Sequence, residues 1–318
     1  MRAFLAAVVL FGVSACGKET VTPPPPGDAL TLTCPSSSTG LSVDSTNGQT
    51  GTVDIVGSVR TSGGVPPSSA SCAGHMDGVF PVGTTNVSCV GTDSAGQTAN
   101  CSFPVTVNVV PRLRYTKILA FGDSITWGQA APAATLRLNS VGLPYSYPAI
   151  LQDLLSARYR LQTITITNAG NPGEQMWDQN KKAVNAQTFQ RLMTTLDLAQ
   201  PEVLLLMEGV NDLDGDGTHY NAIAGLDALL SEAQRRGVIV LVASLTPSTI
   251  AGRSEYIPLY NDFIWNLVPR RTGAIFADMY ARFAAEPRLI GSDGLHPTKE
   301  GFMVMAEVWA NALKVAFE

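Results

Sequence analysis

The chain has 318 residues, room for one large domain or two smaller ones, and a formal net charge of -5. That charge is spread along the sequence with no basic block, which excludes nucleic acid as the main partner. There are three histidines, and only His219 and His296 lie in the second half, so a histidine-rich zinc centre is excluded and no metal or cofactor is expected.

At the N-terminus, Met1-Arg2 precedes an apolar run from Ala3 to Val13. The run is too short to cross hydrocarbon and reads as a signal peptide over residues 1–15. It ends Val13-Ser14-Ala15-Cys16-Gly17, which resembles a bacterial lipoprotein signal. The resemblance implies that Cys16 is lipidated and anchors an exported protein to a membrane of the cell envelope. The alternative is an ordinary secretory signal cut near Ala15. Residues 16–29 contain Pro23-Pro24-Pro25-Pro26-Gly27, an extended polyproline spacer suited to a tether.

Residues 30–110 are rich in Ser, Thr, Gly and Val and nearly free of Lys and Arg. Residues 31–33, 53–59, 85–90 and 103–109 read as short strands, several alternating at period two between Gly-rich turns. A small antiparallel sandwich is expected. Cys34, Cys72, Cys89 and Cys101 all fall here. In an exported domain with a limited core they read as two disulfides, with three pairings open. A zinc site is the rival, but there is no close Cys-x-x-Cys pair. The run from Phe80 to Cys89, continued by Asp93 to Cys101, resembles the hyalin repeat (HYR) module, an immunoglobulin-like domain. That resemblance implies spacing or adhesion, and His75 reads as a surface loop residue.

From residue 115 to 318 the texture changes. Strand-like segments at 118–121, 163–167, 203–207, 238–242 and 274–277 alternate with helical ones at 146–159, 183–198, 220–236, 256–268 and 299–317. Such alternation predicts an α/β fold with a parallel sheet covered on both faces and a ligand site beyond the strand C-termini. Ser124, Gly170 and Asn211 each follow a strand, and Asp293 and His296 lie in the loop before the last helix. A serine at a strand end with an acid and a histidine to serve it is the outline of a serine hydrolase.

Gly122-Asp123-Ser124, Asn168-Ala169-Gly170, Gly209-Val210-Asn211-Asp212 and Asp293-x-x-His296-Pro297 together resemble the four blocks of the SGNH/GDSL hydrolase superfamily, in order and over about 200 residues. The resemblance implies a three-layer α/β/α sandwich and a serine esterase. It implies Ser124 as nucleophile, His296 as base and Asp293 as the residue orienting it. It also implies an oxyanion hole of the Ser124 N–H, the Gly170 N–H and the Asn211 amide. Asp123 reads as a structural hydrogen-bonding residue. The spacing from Asp212 to His219 is similar to the opening of a calcium loop, yet Ile223 stands where a glutamate belongs. The family cleaves lipid, aryl and carbohydrate esters. The loop from Ala130 to Tyr147 is small and apolar without a long lid, which points to short acyl or carbohydrate-linked esters, a small molecule or a polysaccharide. Tyr145, Tyr147 and Trp177 either line the pocket or pack in the core. A non-enzymatic surface or carbohydrate-binding adhesion protein is the rival reading, and the intact Ser124, Asp293 and His296 set argues against it.

Overall fold

The computed structural model describes residues 28–75, 77–129, 145–215, 217–267 and 274–318. The expected signal peptide, Cys16, nearly all of the tether and most of the loop after Gln129 lie outside the described residues. The chain divides after Val109 into two compact units.

The first unit is β-rich. Its strands are β1 (Thr31–Thr33), β2 (Leu41–Ser45), β3 (Thr50–Thr52), β4 (Arg60–Ser62), β5 (Ser69–Cys72), β6 (Val79–Pro81), β7 (Gly83–Thr92) and β8 (Thr98–Val109). A four-stranded sheet has the order β2-β8-β7-β5, while β1 pairs with β4 and β3 with β6. Along β8, Phe103, Val105 and Val107 are buried while the residues between them face outward. This is the period-two pattern of a sheet with one wet face. Val87 and Cys89 on β7 stand opposite Phe103 and Cys101 and join the same small core, with Ile55, Val59 and Phe80. Cys34 bonds to Cys101, and Cys72 to Cys89 across β5 and β7, which resolves the pairing. Residues 53–59 are not a strand. Asp54 Oδ1 accepts from the Gly57 N–H at 2.8 Å and the Asp54 carbonyl accepts from Ser58 Oγ at 2.6 Å, so a side-chain turn competes with the ladder.

The second unit is mixed α/β. It runs β9 (Lys117–Gly122), α1 (Ser124–Trp127), α2 (Tyr147–Arg158), β10 (Thr165–Gly170), β11 (Trp177–Asp178), β12 (Ala183–Val184), α3 (Ala186–Ala199), β13 (Val203–Met207), α4 (Thr218–Arg235), β14 (Ile239–Ala243), α5 (Arg253–Leu267), β15 (Ala274–Ala277), α6 (Met279–Ala284) and α7 (Lys299–Phe317). Five strands form one all-parallel sheet in the order β10-β9-β13-β14-β15. Every residue of β13 is buried, as a strand covered on both faces requires. Helix α2 packs against α7 and β10, and α4 against α3, α5 and β14. The first helical turns are set by side chains. Asn185 Oδ1 accepts from the Gln187 N–H and starts α3 at Ala186, three residues later than the sequence suggests. The two residues before it, Ala183–Val184, pair instead with β11. Asp278 caps α6, a helix the sequence pattern does not announce.

The connection order reverses at β9, which has β10 on one side and β13 on the other. In a parallel sheet that reversal opens a crevice at the strand C-termini. The segments after β9, β10 and β13 meet there.

Candidate active site

β9 ends at Gly122, where an added Cβ would lie 2.1 Å from Thr126 Oγ1 and 2.3 Å from the Met207 carbonyl oxygen. Only glycine lets the strand pass so close to its neighbours. Asp123 follows as the N-cap of α1, its Oδ1 accepting from the Ile125 N–H at 2.8 Å. Ser124 is therefore the first residue of a helical turn, where the amide has no intrahelical acceptor. Its Oγ lies 2.9 Å from His296 Nε2, and both residues are more than nine-tenths buried.

His296 sits in the loop before α7. Ser248 Oγ and the Thr249 N–H both donate to the Gly294 carbonyl, and the Gly291 N–H donates to that of His296. Asp293 Oδ2 lies 2.6 Å from His296 Nδ1, while Oδ1 accepts from the Leu295 and His296 amides at 3.0 Å each. Burial pushes the Asp293 carboxyl up, but the His296 ring and the two amides outweigh it and hold the group below the ordinary aspartate range. An ionised Asp293 accepts from Nδ1–H, which leaves Nε2 as the basic nitrogen facing Ser124.

The turn after β10 carries the next group. The Gly170 N–H donates to Asn168 Oδ1 at 2.9 Å, and a Cβ at Gly170 would lie 2.1 Å from the Trp127 nitrogen. Gly170 is thus a close-packing position whose amide is engaged. Three residues on, Gly173 has φ +77°, and no hydrogen bond from its amide occurs among the described residues. Asn211, after β13, donates from Nδ2 to the Glu174 carbonyl at 3.0 Å, and its own carbonyl accepts from Gln175 Nε2 at 2.7 Å. These bonds hold the Asn211 side chain against the residue that follows Gly173. The run Asn168-Ala169-Gly170-Asn171-Pro172-Gly173 thus carries two glycines, and its Pro-Gly pair is the sequence signal for the second turn.

Behind the nucleophile lies a set of buried acids. Asp212 accepts from the Met176 and Trp177 amides at 3.0 and 2.9 Å, which ties its carboxylate to the start of β11. Burial pushes its carboxyl up to about 7, against those two amides. Asp123 also rises to about 7 through burial, with Glu174 and Asp212 adding repulsion. Glu208 is 1% exposed, both its carboxyl oxygens lack partners among the described residues, and burial raises it well above the ordinary range. A group so placed is held neutral.

Asp216 of the calcium-like loop lies outside the described residues. His219 is buried against Tyr220 and Tyr256, away from the Ser124–His296 pair in its contacts. His75 is exposed, as expected, and stacks on Phe80. Tyr147 is core, Trp177 is half-buried in β11, and Tyr145 is 44% exposed with Lys299 Nζ 4.2 Å from its ring centre.

A family model described as GDSL-like lipase/acylhydrolase matches residues 120–304. The chain belongs to that family. An HYR domain model matches residues 68–107 in the β-rich unit. No curated protein sequence matches the chain. Among solved structures, it is similar to a carbohydrate acetylesterase family member from Sinorhizobium meliloti at 20% identity, covering 63% of this chain and 98% of that one, with a TM-score of 0.51. It is also similar to a lipase/acylhydrolase from Enterococcus faecalis at 18% identity, covering 64% and 97%, with a TM-score of 0.51. These likenesses are of fold. With the family match and the direct Ser124–His296 contact, the protein is a GDSL-type serine esterase.

Proposed function

We propose that this GDSL-family esterase hydrolyses short acyl or carbohydrate-linked esters with Ser124, His296 and Asp293 as its catalytic set. The observation that carries the reading is the continuous line from Ser124 Oγ to His296 Nε2 and from Nδ1 to Asp293 Oδ2. Ser124 Oγ attacks the ester carbonyl as His296 Nε2 takes its proton. The tetrahedral intermediate collapses to an acyl-enzyme, and His296 returns the proton to the departing alkoxide. Water, deprotonated in turn by His296, releases the acid. Asp293 stabilises the imidazolium in both halves.

The oxyanion donors in this reading are the Ser124 N–H, the Asn211 Nδ2 amide and an amide of the turn that Gly170 opens. Within that turn Gly173 is preferred, because the Gly170 N–H already serves Asn168. Each donor contributes about 3 kcal/mol to the transition state.

The same reading includes a three-layer arrangement of the hydrolase unit, with α2 and α7 covering one face and α3, α4 and α5 the other. The β-rich unit is an immunoglobulin-like spacer, and Cys16 is a lipid anchor that keeps the exported enzyme in the cell envelope. The decisive experiment is p-nitrophenyl ester hydrolysis across acyl lengths by residues 17–318 beside Ser124→Ala. Loss of turnover in that variant supports the assignment, and equal turnover by both proteins rejects it. Cys16→Ser in the full chain, followed by labelling with a radioactive fatty acid, tests the anchor.

A further inference from the structure

One cation at the site has no assigned role. Arg253 is the first residue of α5 and is half-buried, and no carboxylate among the described residues lies within ion-pair distance of it. Its one hydrogen bond runs from Nη2 to Asn211 Oδ1 at 3.5 Å, the long end of the range. A guanidinium has five N–H donors, so four remain without a partner in the described structure. Of the buried acids behind the nucleophile, Glu208 has no partner among the described residues and is held neutral. Glu174 is held by Arg191, Asp212 by two backbone amides, Asp293 by His296, and Asp123 by the cap of α1. The Arg253 charge also acts weakly on the buried Asp123, the residue before Ser124. A partly desolvated guanidinium beside the oxyanion amide, with its planar fork open, suits a carboxylate best.

We propose that Arg253 recognises a carboxylate on the substrate, so that the ester taken by this enzyme is an acyl group on an acidic sugar of the uronic acid class. The inference rests on the esterase reading above and names the substrate class of the same site. Bidentate pairing fixes the sugar ring relative to Ser124, and binding energy from a group remote from the reacting carbon serves to orient it.

The test uses three O-acetylated methyl glycosides that share a pyranose ring: the glucuronate, its methyl ester and the glucoside. The readout is the ratio of kcat/KM for the acid over that for the two neutral compounds. Wild type prefers the acid by about 10- to 150-fold, the range of a charged hydrogen bond of about 1.5–3 kcal/mol. In Arg253→Met the ratio falls to about one, mainly through KM, and Arg253→Lys recovers part of it. A wild-type ratio near one, or a ratio that Arg253→Met leaves unchanged while all three rates fall together, overturns the proposal; the second outcome makes Arg253 a positioning residue for Asn211. Calorimetric titration of the Ser124→Ala protein with free glucuronate and with its methyl ester reads the same preference without turnover. That arm stays informative if no ester is hydrolysed, and equal binding of acid and ester rejects carboxylate recognition on its own.

Discussion

Arg191 grips Glu174 with two guanidinium nitrogens, Nε to Oε1 at 2.7 Å and Nη2 to Oε2. The same guanidinium donates to the Ala169 carbonyl at 2.7 Å and the Gly122 carbonyl at 3.4 Å, and lies 3.8 Å from the centre of the Phe121 ring. One side chain on α3 therefore ties the ends of β9 and β10 to the turn whose Glu174 carbonyl receives the Asn211 amide. Arg191→Met releases that turn. The expected result is a fall in kcat of about 100-fold with KM little changed, the order seen for small misplacements of a site. Leaving Glu174 buried and unpaired also destabilises the protein by about 3–5 kcal/mol. Glu174→Gln retains a hydrogen-bond acceptor for Arg191, so it separates the kinetic effect from the loss of fold. A kcat of wild-type size in both variants would show that the turn needs no such tie.

Much of this was legible in the sequence because it is local. Val203 to Met207 is an apolar run of strand length, and it is a fully buried strand. Asp293 and His296 are three residues apart, so one loop presents both. The roles of Arg191 and Arg253 were not legible. Each depends on partners 17 to 69 residues away in the chain, and neither lies in a repeating pattern. The bond from the Gly170 amide to Asn168 was not legible either, because spacing does not encode where the Asn168 side chain points. Residues 53–59 alternate like a strand, but one aspartate at position 54 diverts the backbone into a turn.

Gly170 and Gly173 separate by substitution. In Gly170→Ala the new methyl meets the Trp127 backbone at 2.1 Å, so backbone must shift beside the nucleophile. The expected outcome is loss of soluble protein or a melting temperature lower by 10 °C or more, about the shift for 3 kcal/mol or more in a unit of this size. Gly173→Ala finds open space but a φ of +77°, at about 1–2 kcal/mol. That variant folds and loses rate. Paired melting curves and kcat values decide between them, and the reverse ranking would return the oxyanion role to Gly170.

The buried acids predict a pH dependence of stability. Asp123 titrates near 7 in the fold and near 4 in the unfolded chain. Between those values the folded state holds a proton that the unfolded state has released, so this group lowers stability as pH rises from about 4 to 7 and has no further effect above. Asp123→Asn keeps an oxygen to cap Ile125 and removes the titration. Relative to wild type, it should melt several degrees higher at pH 8 than at pH 4, at about 2–4 °C per kcal/mol. A difference that does not change with pH would mean Asp123 ionises normally.

Both disulfides lie in the β-rich unit, whose core is a small cluster around Phe80 and Phe103. Cys34–Cys101 closes a span of 67 residues and Cys72–Cys89 one of 17. Native disulfides in small exported domains are worth about 2–5 kcal/mol each. Reductant should therefore abolish the calorimetric transition of this unit while p-nitrophenyl ester hydrolysis persists. Parallel loss of both signals would show that the hydrolase unit depends on its neighbour.

Asp293 offers the sharpest test of the proposed chemistry, because its two oxygens do different things. Oδ1 accepts from the Leu295 and His296 amides and shapes the loop, while Oδ2 faces Nδ1 of the ring. Asp293→Asn can keep its oxygen on the amides and turn its NH2 toward Nδ1. The ring then presents Nδ1 as acceptor and carries its proton on Nε2, pointing at Ser124, where it cannot act as a base. The loop survives and the chemistry does not. A fall in kcat of about 10,000-fold is expected, with the melting temperature nearly unchanged. Asp293→Ala should lose both rate and stability, since the two amides are orphaned as well. Because the wild-type carboxyl is held below the ordinary aspartate range, its protonation should not limit turnover at neutral or mildly acidic pH. An Asp293→Asn enzyme within tenfold of wild type would remove Asp293 from the catalytic set and leave Ser124 and His296 to act as a pair.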